Sequence, residues 1–124
     1  MNKVELLALA DRIETVTVVE PKFVGALLDD LAKAFKYRPG SAELDANLPL
    51  STDAAIALVR QKLPGWFIVI HGAAMDRDTI WKCTLRKSEV SDDDELVGVG
   101  SGHSIPMAIL AALIRIAAHH NLFG

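Results

Sequence analysis

The segment IPMAILAALIRIAA (residues 105–118) restricts the fold more than any other part of the chain. It is apolar around most of a helical circumference, with Arg115 its single charged residue, and such a helix must be covered on more than one side. Pro106 and Arg115 interrupt it, and it falls short of the roughly 17–25 apolar residues of a membrane span, so the expectation is a buried helix. Ser104 is placed to cap it, Pro106 is tolerated in its first turn, and the pattern runs to about His119. His119 and His120 then complete the last turn, where imidazoles can meet terminal carbonyls. The cover has to come from the rest of a 124-residue chain. That length suits one domain burying roughly two thirds of its unfolded surface, and Cys83, the single cysteine, excludes an internal disulfide.

Two helices are read at the start of the chain. Leu6, Leu9 and Ile13 share a stripe over residues 3–15, and Asn2 with Glu5 three residues later forms a capping-box variant. Pro21 suits the first position of a second helix, in which Phe23, Leu27, Leu31 and Phe35 recur every fourth residue; Lys33 and Lys36 favour its end, and Pro39 and Gly40 stop it. Residues 39–50 have turn-forming composition without periodicity and read as a connector. Ser51 or Thr52 then caps a third helix that ends at Pro64 and Gly65.

From Trp66 the period changes. Residues 66–71 form a short apolar strand, and residues 79–86 alternate, with Trp81, Cys83 and Leu85 on one face and Lys82, Thr84 and Arg86 on the other. An acidic turn containing Glu89, Asp92, Asp93, Asp94 and Glu95 precedes a brief strand over 96–99 and a glycine-rich corner. The order is that of an α+β protein: an N-terminal helical hairpin, then a helix-strand-strand-strand-helix sandwich whose short loops imply a three-stranded antiparallel meander. The expected organisation is an N-terminal helical arm (1–38) packing on the core, a connector (39–50) and an αβββα core (51–124), all one folding unit.

Several stretches carry a resemblance: ELLALADRIE from Glu5, LSTDAAIALV from Leu50, the Pro64-Gly65-Trp66 approach to the first strand, and the Ser104-Ile105-Pro106 start of an Ala-rich helix with Arg115. In these the chain resembles the phage ABA sandwich domain family of small bacteriophage and prophage proteins of unknown function. The resemblance spans most of the chain and implies the same sandwich fold and a phage or prophage origin. It brings no catalytic residues. The helix before Trp66 is longer here by Arg60, Gln61, Lys62 and Leu63, and the loop before the third strand is unusually acidic.

Charge excludes broad adhesion to anionic surfaces. There are 13 Lys and Arg against 16 Asp and Glu, a net charge of −3, and neither half of the chain is basic, so neither nucleic acid nor membrane is an expected partner. A double-stranded RNA-binding module, which shares the core order, would need a basic helix start, and residues 104–112 hold no Lys or Arg. The opening residues lead into an amphipathic helix and not into a signal or transit segment, so the expected location is the cytoplasm of a bacterial host.

Catalytic chemistry is thin. Cys83 lies on the apolar face of its strand, where a thiol behaves as a small hydrophobe, and Ser101, His103 and Ser104 do not form a nucleophile elbow. The meander would gather His71, Asp76, Asp78 and His103 at one end of the sheet, with Ser51 and Asp53 approaching, a set competent to hold a divalent transition metal but without established ligand spacing. Gly100, Gly102, His103 and Ser104 precede a helix start and form a candidate anion site, but Pro106 removes an amide and no basic residue follows nearby; the plainer reading is a turn with a capped helix. No catalytic residue and no cofactor is assigned. The expectation is a noncatalytic protein-interaction module whose partner is a host or phage protein, or a second copy of the chain. Its surface is expected at Ile80, Lys82, Thr84 and Arg86, with residues 37–50 of the connector as a further candidate. The alternative is a small-anion or metal-binding protein or enzyme built at the His71, Asp78 and His103 end.

Overall fold

Asn2 starts the first helix as its sequence requires. In the computed structural model, which describes residues 1–38, 41, 44–73, 79–87 and 97–120, helix α1 spans Lys3–Thr15 and opens with both bonds of the capping box. Asn2 Oδ1 accepts from the Glu5 N–H at 2.8 Å and Glu5 Oε1 from the Asn2 N–H at 3.1 Å, satisfying two amides that a helix start leaves unpaired. Helix α2 (Pro21–Phe35) begins on its proline and ends at Lys36, whose φ of 59° is left-handed and whose N–H returns to the Ala32 carbonyl. The turn is therefore made before Pro39 and Gly40, which lie outside the described residues. Arg12 reaches Asp30 at 3.1 Å across the α1–α2 hairpin. Helix α3 (Thr52–Lys62) is capped by Ser51, whose Oγ accepts from the Ala54 N–H at 3.2 Å.

After Gly65, whose φ of +84° suits glycine, three strands follow: β1 (Phe67–His71), β2 (Trp81–Arg86) and β3 (Val97–Gly102). They pair antiparallel in the order β1-β2-β3, as the meander predicts. Val69 lies opposite Thr84, and Thr84 opposite Val99. Helix α4 (Ile105–His120) closes the fold. The architecture is the expected α+β sandwich, and α4 is its middle layer. Its residues from Met107 to Ile114 are essentially inaccessible, because β3 and β2 cover one side and α1 and α3 the other. Each large apolar side chain buried there contributes roughly 1.5–3 kcal/mol, which explains why so apolar a segment takes the centre.

Two local expectations change. The third strand does not stop at Val99; it continues through Gly102, so Gly100 and Gly102 lie in a strand and not in a corner. The reason is the close approach of α4. A Cβ on Gly100 would stand 2.3 Å from the Ala112 amide nitrogen, and one on Gly102 2.8 Å from that of Ala108. The connector is also less free than its composition suggests. Leu44, Leu48 and Pro49 are buried, the two leucines within the same core cluster as α1, α2, α3 and α4, while Asp45, Ala46, Asn47 and Leu50 are exposed.

Candidate functional site

The strand register assigns every sheet residue to a face. Cys83 and Leu85 are fully buried under α4. Their partners Ile70, Ile68, Gly100 and Gly98 therefore share the inner face. Burial pushes the Cys83 thiol up to about 12, so it stays protonated and unreactive at ordinary pH.

The outer face carries Phe67, Val69 and His71 from β1, Lys82, Thr84 and Arg86 from β2, and Val97, Val99 and Ser101 from β3. No described helix lies over it: α4 and α1 are the helices that pack on the sheet, α4 on the inner face and α1 beside β3. Phe67 is 42% exposed, Val97 38% and Val99 37%, and Ile80, just before β2, is 51% exposed. The candidates Lys82, Thr84 and Arg86 do occupy this face, and the sequence reading omitted Phe67, Val69, Val97 and Val99 beside them. A strand that is apolar on both faces conceals its phase. Only the pairing with alternating β2 reveals it.

At the β3 edge lies a cluster that sequence reading did not find. Arg115 forms a fork with Glu14, Nη1 to Oε2 and Nη2 to Oε1, both at 2.5 Å. Its Nη2 also donates to Asp11 Oδ1 at 2.9 Å, and its Nη1 to the Val99 carbonyl at 2.9 Å. Glu14 Oε2 accepts the Ser101 N–H at 2.7 Å. Burial pushes the Glu14 carboxyl up, but the Arg115 hydrogen bonds, the Ser101 amide and the guanidinium charge outweigh it and hold the group below its usual range. The same fork raises Arg115 against its own desolvation. A lone arginine in an apolar helix signals that a partner is needed, but nothing in the sequence singles out Glu14, one hundred and one positions away, among 16 carboxylates.

The other candidates are dispersed or engaged. His71 ends β1 on the outer face and His103 follows β3, so both lie at one end of the sheet, as the topology implies. Asp76 and Asp78 lie outside the described residues, as do Glu89, Asp92, Asp93, Asp94 and Glu95. Among the described residues no three His, Cys, Asp or Glu side chains form a metal-holding group. Ser51 is occupied by its cap and Asp53 is exposed in the first turn of α3. Gly100 and Gly102 face the α4 backbone, which fills the space that an anion would need there. Ser104 accepts from the Met107 N–H at a long 3.4 Å, and His103 is half-buried. Elsewhere, Tyr37 donates to Gln61 Oε1 at 2.8 Å and lies 4.1 Å beneath Lys62 Nζ, beside an open depression of about 310 Å³ lined by Asp29, Ala32, Lys33 and Tyr37. Asp29 and Lys33 bring one charge of each sign to that depression.

With this geometry in view, no protein-family profile, curated protein or solved structure matches the chain. Among the described residues no helix is long and apolar enough to cross a membrane.

Proposed function

We propose that the chain is a noncatalytic protein-interaction module of phage or prophage origin, acting in the cytoplasm of its bacterial host and binding a host or phage protein across the outer face of the sheet. One observation supports this above the others: Phe67, Val97, Val99 and Ile80 are substantially exposed on or beside a sheet face that no described helix covers. Exposed apolar side chains grouped with charged ones are a common mark of a recognition surface. Here Lys82, Thr84 and Arg86 of the central strand run between Phe67 and Val69 on one side and Val97 and Val99 on the other, so the face offers a basic row flanked by apolar groups. The resemblance to the phage sandwich family supports the origin but adds no activity.

The test is affinity capture of the tagged chain from host lysate, with mass spectrometry, against an Ile80→Asp, Lys82→Glu variant. A protein held by the parent and lost by the folded variant is the expected result. Retention of the same proteins by both would sink the outer-face assignment. If neither retains a partner, and divalent metal raises the melting temperature of the parent but not of a His71→Ala, His103→Ala variant, the metal-binding alternative takes over.

A further inference from the structure

The two edges of the sheet are finished differently. On β3, the Ser101 N–H and Val99 carbonyl point away from β2, since Glu14 and Arg115 engage them there. N–H and C=O of one residue in a strand point to the same side, and that side alternates along the strand. Gly98, Gly100 and Gly102 therefore bond to Leu85, Cys83 and Trp81, and Arg86, Thr84 and Lys82 bond to Phe67, Val69 and His71. By the same alternation the N–H and C=O groups of Ile68 and Ile70 project from the far edge of β1. Among the described residues no hydrogen bond meets them.

Sheet edges are ordinarily blunted by Lys, Pro, a bulge or a covering element. The β1 sequence FIVIH contains no charged residue and no proline, and no described helix packs closely on it. Even the inner side chains of Ile68 and Ile70 are only half-buried, where Cys83 and Leu85 beside them are sealed. An extended, uncharged, β-branched strand matches this edge in backbone and in side chains. One such strand is always present.

We propose that β1 pairs antiparallel with β1 of a second copy, about a two-fold axis through Val69, to form a continuous six-stranded sheet. The register is self-complementary. Ile68 and Ile70 of one copy meet Ile70 and Ile68 of the other as hydrogen-bonded pairs, Val69 meets Val69, and Phe67 meets His71. No like charges face each other, which in a chain of net charge −3 favours this uncharged strand as the point of self-contact. The symmetry closes at two copies, because the described residues leave one edge of the sheet open. The outer face stays free, so this inference is independent of the partner proposed above, and the purified protein alone tests it.

Sedimentation of the purified chain across the micromolar range reads the outcome, since a single strand pair makes a small and weak interface. The expected mass rises to twice the 13.4 kDa of the chain. Ile70→Pro removes an outward N–H without touching the β1–β2 ladder, and Val69→Lys sets two cations face to face; each is expected to sediment as monomer while its circular dichroism spectrum stays that of the parent. A parent that remains monomeric, or folded variants that remain dimeric, would overturn the proposal. Should these variants misfold, cysteine pairing decides the matter. Val69→Cys places two thiols across a close pair with Cα atoms about 4.5 Å apart, within disulfide reach. Phe67→Cys leaves them roughly 13 Å apart at four residues' offset. Oxidative cross-linking of the first and not the second is expected; no cross-link at 69, or equal cross-linking at both positions, would overturn it.

Discussion

Strands β3 and β1 are the two ends of one three-stranded sheet, and they owe their sequences to opposite causes. β3 is written by its neighbours. Its inner positions are glycine because α4 lies against its backbone, and its outward amide and carbonyl are closed by Glu14 and Arg115. Among the described residues β1 has no such neighbours beyond β2, and its sequence is large, β-branched and uncharged. A strand can thus be poor in side chains because it is crowded, and rich in apolar ones because it is not. The contrast teaches that glycine and apolar content report opposite things about cover in this sheet.

The sharpest way to break the comparison is Gly100→Ala. The new methyl would meet the Ala112 nitrogen at 2.3 Å and the Ala108 carbonyl oxygen at 2.5 Å, both backbone atoms that cannot rotate away. Overpacking of this kind costs about 3 kcal/mol or more, because the helix has to lift from the strand. Urea denaturation should show a large fall in midpoint or a chain that no longer folds cooperatively. If the variant is as stable as the parent, α4 does not seat on β3 as closely as described, and the explanation of the glycines fails.

Next in size is Arg115→Met, which keeps the apolar stem and removes the fork. Glu14 and Arg115 are 20% and 22% exposed, so water relieves part of the loss, and about 2 kcal/mol is expected for a charged hydrogen-bonded pair at this depth. Thermal denaturation measures it. The variant also opens the β3 edge, so a rise in concentration-dependent association would follow from the same substitution. A change within experimental error would reduce the cluster to an ordinary surface ion pair.

These residues also show what was legible. The capping box at Asn2 and Glu5, the proline start of α2 and the alternation of Trp81 to Arg86 are local signals, and each gave its element directly. The helix-strand-strand-strand-helix order followed from them. The fork between Glu14 and Arg115 could not follow, because its specificity arises only when the first and last helices meet at one strand edge. The sequence pattern ends strand β3 at Val99 for a related reason: Gly100 and Gly102 signal a turn unless the helix that excludes their side chains is known. Of the outer face, the β2 residues were readable from alternation. Phe67, Val69, Val97 and Val99 needed the register.

The smallest expected effect is the pH dependence of the sealed edge, and its sign follows from the carboxylate. Glu14 has a folded-state pKa below its unfolded value, because the Arg115 hydrogen bonds and the Ser101 amide favour the charged form more than burial disfavours it. A depressed carboxylate contributes stability that is fully present above its unfolded pKa, about 4.3, and is lost as pH falls through the folded value. Arg115 remains charged throughout that window and adds no slope of its own. The parent should therefore lose stability below about pH 4 more steeply than Glu14→Gln, which retains an acceptor for the Ser101 N–H but has no proton to take up. At neutral pH that variant keeps an acceptor for the Ser101 N–H and for one Arg115 N–H but sets its NH2 against the other. It should therefore lose stability on the scale of Arg115→Met, and the acid limb rather than the neutral loss identifies the linkage. Parallel acid limbs for parent and variant would mean that Glu14 does not carry the linkage, and that the β3 edge is held by packing of α1 and α4 alone.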